Sequence, residues 1–172
     1  MPAPPRTGDP QVDAVVAWLF ELGATVVSVG HGRDPRSRAS AARFVEAWRG
    51  LGRLDEREAF ARDVDAVVDW PATAASWLRP AQRLVAGAPD AWVVADTPAS
   101  WAPMARRLRL STSWAPARTV CFPALATPAL PELAGHDATE GLRGVGTDGT
   151  RWQFTDGALA WHATPTGEEG GP

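Results

Sequence analysis

The chain has 172 residues, a formal net charge of −3, an apolar share of 45% and a charged share of 22%. That length suits one domain with a sizeable core, the charge offers no basic footprint for nucleic acid, and no apolar run approaches the roughly 18 residues of a membrane span. All 17 basic residues are arginine, which with the abundance of Ala, Gly, Pro and Trp reads as codon usage in a GC-rich bacterium rather than as phosphate recognition.

Residues 1–9 read as a Pro-rich disordered lead without the basic start and apolar core of a secretion signal, which predicts a cytoplasmic chain. From Pro10 to Leu22, the positions Val12, Val15, Val16 and Leu19 mark one helix face, with Gly23 as a C-cap. Four short apolar runs follow: Ala24 to Gly30, Asp65 to Trp70, Ala91 to Asp96 and Arg118 to Leu125. Helix-period stretches separate them, the pattern of crossover units around a parallel sheet.

The first intervening helix has Asp34 as N-cap, Pro35 in its first turn, and Ala41, Phe44, Val45 and Trp48 on one face before Gly50. Residues 51–63 are charged and read as a solvated excursion with a weak helical pattern. The next helix spans Thr73 to Val85, with Pro80 expected to bend or divide it. Another covers Trp101 to Leu108 with Ser100 as its N-cap.

Beyond Leu125 the pattern changes. Pro131 to Ala134 suits a short helix, and Leu142 to Thr147, Arg151 to Thr155 and Ala158 to Ala163 are separated by Asp148-Gly149 and Asp156-Gly157. Asp-Gly between short strands predicts type I′ hairpins and hence a three-stranded antiparallel meander. Trp152, Phe154, Leu159 and Trp161 then share one face. Residues 164–172 read as a disordered tail, leaving 10–163 as a single α/β domain.

The segment Gly30-His31-Gly32-Arg33-Asp34 is the leading candidate site, because ligands in an open parallel sheet bind beyond the carboxyl ends of the strands. A glycine-bearing loop entering a helix offers N–H groups to an anion or a small polar ligand. Asp96, Thr97 and Ser100 belong to the equivalent turn after the third strand. Pro35 spoils a dinucleotide fingerprint, and the Gly-Lys-Ser/Thr ending of a phosphate loop is missing. No catalytic residue, cofactor or metal site is expected. His136 and His162 are too isolated for a metal, and Cys121 in an apolar run reads as a buried, inert thiol. Most of the nine tryptophans read as packing, whereas Trp114 and Trp161 are expected to be partly exposed.

Three segments, Val26 to Asp34, Ala88 to Pro98 and Leu133 to Leu142, taken in order resemble one lobe of the type I periplasmic-binding-protein superfamily, especially branched-chain amino-acid binding proteins of ABC transporters. The middle segment looks like the family's Gly-Pro-Asp-Ala-Val-Val strand entry, and the last like its Ala-Gly-x-Ala-Ala-Glu-Gly turn. The resemblance implies an α/β, flavodoxin-like doubly wound parallel sheet of about four strands, followed here by the C-terminal meander. It also implies a non-enzymatic domain that binds a small polar ligand or a protein partner at the strand-end loops. The ligand-binding positions would be His31, Gly32, Arg33, Asp34, Asp96, Thr97 and Ser100. Two alternatives stand beside it. One is a small flavodoxin-like enzyme or nucleotide-binding protein that uses His31 to Arg38 and pairs His31 with Asp96. The other is a structural subunit forming a homodimer or pairing with a second lobe.

Overall fold

A computed structural model describes residues 6–54 and 62–162. Residues 1–5 of the lead expected to be disordered, residues 55–61 of the expected excursion and the whole of the expected tail thus lie outside the described residues.

Asp9 begins the first helix, α1 (Pro10–Glu21), by accepting from the N–H groups of Gln11 at 3.0 Å and Val12 at 3.2 Å. These are two of the donors that a helix start leaves without intrahelical partners. The chain then enters β1 (Val26–Gly32), α2 (Pro35–Leu54), β2 (Asp63–Trp70), α3 (Leu78–Val85), β3 (Ala91–Ala95) and α4 (Pro98–Ser111). It continues through β4 (Thr119–Cys121), α5 (Leu130–Ala134), β5 (Arg143–Val145), β6 (Arg151–Thr155) and β7 (Ala158–His162). All seven strands form one sheet in the order β2-β1-β3-β4-β5-β6-β7. The first five are parallel, and β6 and β7 add antiparallel pairs. The parallel part has the flavodoxin-like order 2-1-3-4-5, whose direction reverses between β1 and β3.

The doubly wound parallel sheet of about four strands is thus present, with β5 as its fifth parallel member. Arg143–Val145, the first strand of the expected meander, pairs antiparallel with β6 but also parallel with β4 through Val120↔Arg143 and Cys121↔Gly144. A three-residue strand shows no periodicity that reveals which neighbour it will join. The meander itself is present, and Trp152↔Trp161 and Phe154↔Leu159 are cross-strand pairs that share a face.

Alternation along the central strands divides the core in two. Val27 and Val29 of β1, Val93 of β3 and Val120 of β4 face Val15, Leu19, Phe44 and Trp48 of α1 and α2. Trp92 and Val94 face the opposite way, with Trp70, Leu84, Met104, Leu108 and the meander's Trp152 and Phe154. β3 is buried along its whole length, as a strand covered on both faces must be.

Several boundaries differ from the sequence expectation for identifiable reasons. β1 runs two residues past Gly30, and Asp65 falls at a register shift where Val27↔Val64 is followed by Ser28↔Ala66. α3 begins at Leu78, so Pro80 occupies the first turn, where an N–H has no intrahelical partner to lose, and neither bends nor divides the helix. α4 begins at Pro98 with Thr97, not Ser100, as its N-cap residue. The proline's fixed φ starts the helix three residues early. β4 ends at Cys121 because Pro123, without an N–H, opens a 3-10 turn over Pro123–Leu125. Trp114 is buried instead of partly exposed, packed edge-on against Trp101, while Trp161 is 52% exposed.

The amino ends of β1 and β3 are fastened by Asp90. Its Oδ2 accepts from Thr25 N–H at 2.9 Å, Thr25 Oγ1 at 2.9 Å and Val26 N–H at 2.8 Å. Burial pushes its pKa up, but the bonds from Val26 and Thr25 and the Arg118 charge outweigh that and hold it below the usual value. Asp90→Ala removes all three bonds and strands two backbone donors, so a loss of about 2 kcal/mol is expected. Urea titration should show a lower midpoint at unchanged slope; an unmoved midpoint would refute this role.

Candidate functional site

Two glycines near the carboxyl end of β1 shape the crevice at the point where strand order reverses. A side chain on Gly30 would meet the Trp70 ring at 2.6 Å, so its absence lets that indole lie across β1. Trp70 Nε1 then reaches Asp96, donating to Oδ2 at 2.7 Å. A side chain on Gly32 would overlap Asp96 Oδ1 and sit 3.1 Å from Asp34 Oδ2. Both glycines thus belong to β1 and make room for a tryptophan and a carboxylate, whereas the sequence reading had them form an anion-binding loop.

Asp96 is 2% exposed. Besides the Trp70 bond, its Oδ1 accepts from Thr97 N–H at 2.8 Å. Burial pushes its pKa up to about 6, against the lowering effect of the bonds from Trp70 and Thr97 and of the nearby Ser100 hydroxyl; the Asp34 charge adds to the rise. The Ser100 hydroxyl is itself buried beside Asp96 but completes no well-formed hydrogen bond. Asp34 precedes α2, and its Oδ1 accepts from Ser37 N–H at 2.9 Å. Burial again raises the pKa, but the bonds from Ser37 win and hold this carboxyl below its ordinary range.

Asp34 and Asp96 line one cavity of about 540 Å³ with Arg36, Ser37, Ser40, Arg43, Thr97 and Phe122. Gln11 and Thr147 close its rim, and Gln11 Nε2 donates to the Thr147 carbonyl at 3.3 Å. Arg43 is engaged by Asp9 at 3.4 Å. Of the seven positions singled out in the sequence, Asp34, Asp96 and Thr97 line this space. Gly32 lies directly behind the two carboxylates and Ser100 beside Asp96.

Arg33 and His31 do not join them. Arg33 pairs with Asp69 at 3.4 Å, and both are substantially exposed, so the pair contributes little. His31 is a buried strand residue registered against Ala95, and its Nδ1 lies 2.7 Å from the Gly32 carbonyl. Strand alternation turns it to the face opposite Asp96, so the acid–base pair of the enzyme reading is not formed. Cys121 is buried, and burial, with a smaller contribution from Asp96, raises its thiol far above the ordinary value. Among the described residues no three His, Cys, Asp or Glu side chains gather as a metal site, and no helix is long and apolar enough to cross a membrane.

The α2 wall was missed in the sequence. Ser37, Ser40 and Arg43 recur every three residues, which puts them on one helix face. That signal was present, hidden by the apolar face used to assign the helix.

No protein-family model and no curated protein matches the sequence. Solved structures do. A Rhodospirillum rubrum protein assigned to branched-chain amino-acid ABC transport aligns at 25% identity and a TM-score of 0.61, over 78% of this chain and 36% of its own. A substrate-binding periplasmic protein from Ralstonia solanacearum gives 18% and 0.62, over 79% and 35%. A leucine-binding protein from Thermotoga maritima gives 14% and 0.71, over 90% and 65%. The chain thus spans little more than a third of the first two structures. Together with the 2-1-3-4-5 strand order, these matches show that the chain has the fold of one lobe of a type I periplasmic binding protein.

Proposed function

We propose that this chain is a non-enzymatic binding lobe that takes a small polar ligand at the carboxyl ends of β1, β3 and β4. The observation that carries this reading is the cavity of about 540 Å³ at the reversal of strand order, with Asp34, Ser37, Ser40 and Asp96 among its lining groups. Its size falls in the range of small-molecule sites, and its position is the one at which open α/β sheets bind ligands. The named ABC-transport and leucine-binding neighbours support ligand binding by this architecture. Binding without conversion suits the side chains: His31 lies on the face opposite Asp96, and Cys121 is buried.

Thermal-shift screening of the purified chain against amino acids, amines, nucleotides and sugars tests this reading. A ligand at a hundred times its Kd stabilises by about 2.7 kcal/mol, which a melting curve resolves readily. Uniformly flat melting temperatures across all classes would overturn it.

A further inference from the structure

We propose that the ligand is a small organic cation whose ammonium or amidinium group is held between Asp34 and Asp96; this rests on the ligand-binding reading above. Gly32 permits the arrangement, because the place its side chain would occupy is in contact with Asp96 Oδ1 and 3.1 Å from Asp34 Oδ2. One N–H-bearing group at the cavity wall can therefore reach both oxygens at ordinary hydrogen-bond distances.

The charges around these carboxylates point the same way. Neither aspartate has an ion-pair partner among the described residues: Arg33 is engaged by Asp69 and Arg43 by Asp9. Asp96 is 2% exposed, and a buried charge without a counter-charge is costly. The bonds from Trp70, Thr97 and Ser37 supply partial positive charge but no cation. A second, independent feature is the Ser100 hydroxyl. It is 4% exposed, lies beside Asp96 and lacks a well-formed partner, so a third oxygen in this cluster has unused acceptor capacity.

Arg36 lines the same cavity and makes the competing case for an anion. It is, however, an exposed side chain that water already solvates, so an anion there relieves no desolvation. A cation between Asp34 and Asp96 relieves the repulsion between two carboxylates and the burial of one of them.

Calorimetric titrations at pH 7.5 with putrescine and agmatine as cations, glutarate as anion and glucose as neutral polar probe decide the class. Putrescine or agmatine should bind, and Asp34→Asn and Asp96→Asn should each weaken that binding at least tenfold. Asn is as good an N-cap as Asp, and at position 96 it preserves shape, so both variants should fold. A single cooperative thermal transition in each variant, with far-UV circular dichroism like that of wild type, would verify that. Binding of glutarate or glucose with no binding of either cation would overturn the cation assignment while leaving the lobe a binding protein. Cation binding unchanged in both variants would overturn the proposed seat. Silence from these probes and from the broad screen would overturn the assignment together with the binding reading.

Discussion

Asp96→Asn is expected to abolish a dependence of stability on pH that the wild-type chain shows between about pH 4 and pH 6. The carboxyl of Asp96 stands at about 6 in the folded protein against an ordinary 3.8. Below the lower value it is protonated in both states and costs nothing. Between the two values the folded form holds the proton more tightly, so stability falls as pH rises through this window. Above about 6 the full cost of a buried carboxylate is present, about 3 kcal/mol for a shift of roughly two units. Asp34 and Asp90, held below their ordinary values, work with the opposite sign: their stabilisation is present above the unfolded value and is lost on further acidification. For these three groups the stability maximum should therefore lie near pH 4, where the two windows meet.

The amide at position 96 must present its NH₂ to one of two donors, the Trp70 indole or the Thr97 N–H. That misfit costs about 1 kcal/mol. The net expectation is a variant about 1–2 kcal/mol more stable than wild type at pH 7.5 and about 1 kcal/mol less stable at pH 4. Urea unfolding followed by tryptophan fluorescence at both pH values measures the crossing. Equal slopes for variant and wild type from pH 4 to 7 would show that Asp96 is not strained by burial. The same buried charge is what a bound cation would relieve, so stability and affinity should trade against each other at this residue.

Gly144→Ala is expected to cost more than any other small substitution in the sheet. Gly144 lies in β5, opposite Cys121 on one side and Trp152 on the other. A methyl group would overlap the Trp152 ring and come within 2.6 Å of the Cys121 carbonyl oxygen. Neither can give way cheaply. The carbonyl is backbone in a central strand, and the indole is buried and fixed by its Nε1 bond to the Val145 carbonyl at 3.0 Å. Relief requires expelling Trp152 or separating β4 from β5. A loss of about 3 kcal/mol or more follows, or roughly 10 °C in melting temperature for a domain of this size. Gly50→Ala is the matched control, since its side chain would point into open space from the C-terminal half of α2. It should stabilise by about 0.5–1 kcal/mol through helix propensity. If circular-dichroism melts show Gly144→Ala within 2 °C of wild type, the packing of Trp152 on β5 described above is incorrect.

What could be read along the chain were features whose cause is local. Val12, Val15, Val16 and Leu19 marked α1, and Ala91 to Ala95 marked a strand buried on both faces, because 3.6- and 2-residue periods and uninterrupted apolar runs arise from neighbours in sequence. The order of three segments was enough for the lobe resemblance. Asp34, Asp96 and Thr97 could be placed at the crevice because the ends of parallel strands are where loops converge.

Other features depended on distance in space. His31 lay in the right segment, but β1 continued through it and alternation turned it away; only pairing with β2 and β3 decides where a strand stops. The glycines at 30 and 32 suggested an anion loop, yet their role came from Trp70 and Asp96, far away in sequence. Sequence alone determined the helices, most strands and the class of fold, since these follow from patterns that each segment carries by itself. Tertiary structure alone decided that β5 joins the parallel sheet, that Asp96 is buried against Gly32 with no counter-charge among the described residues, and that Ser37 and Ser40 face the same cavity, because desolvation, register and close approach belong to pairs of segments.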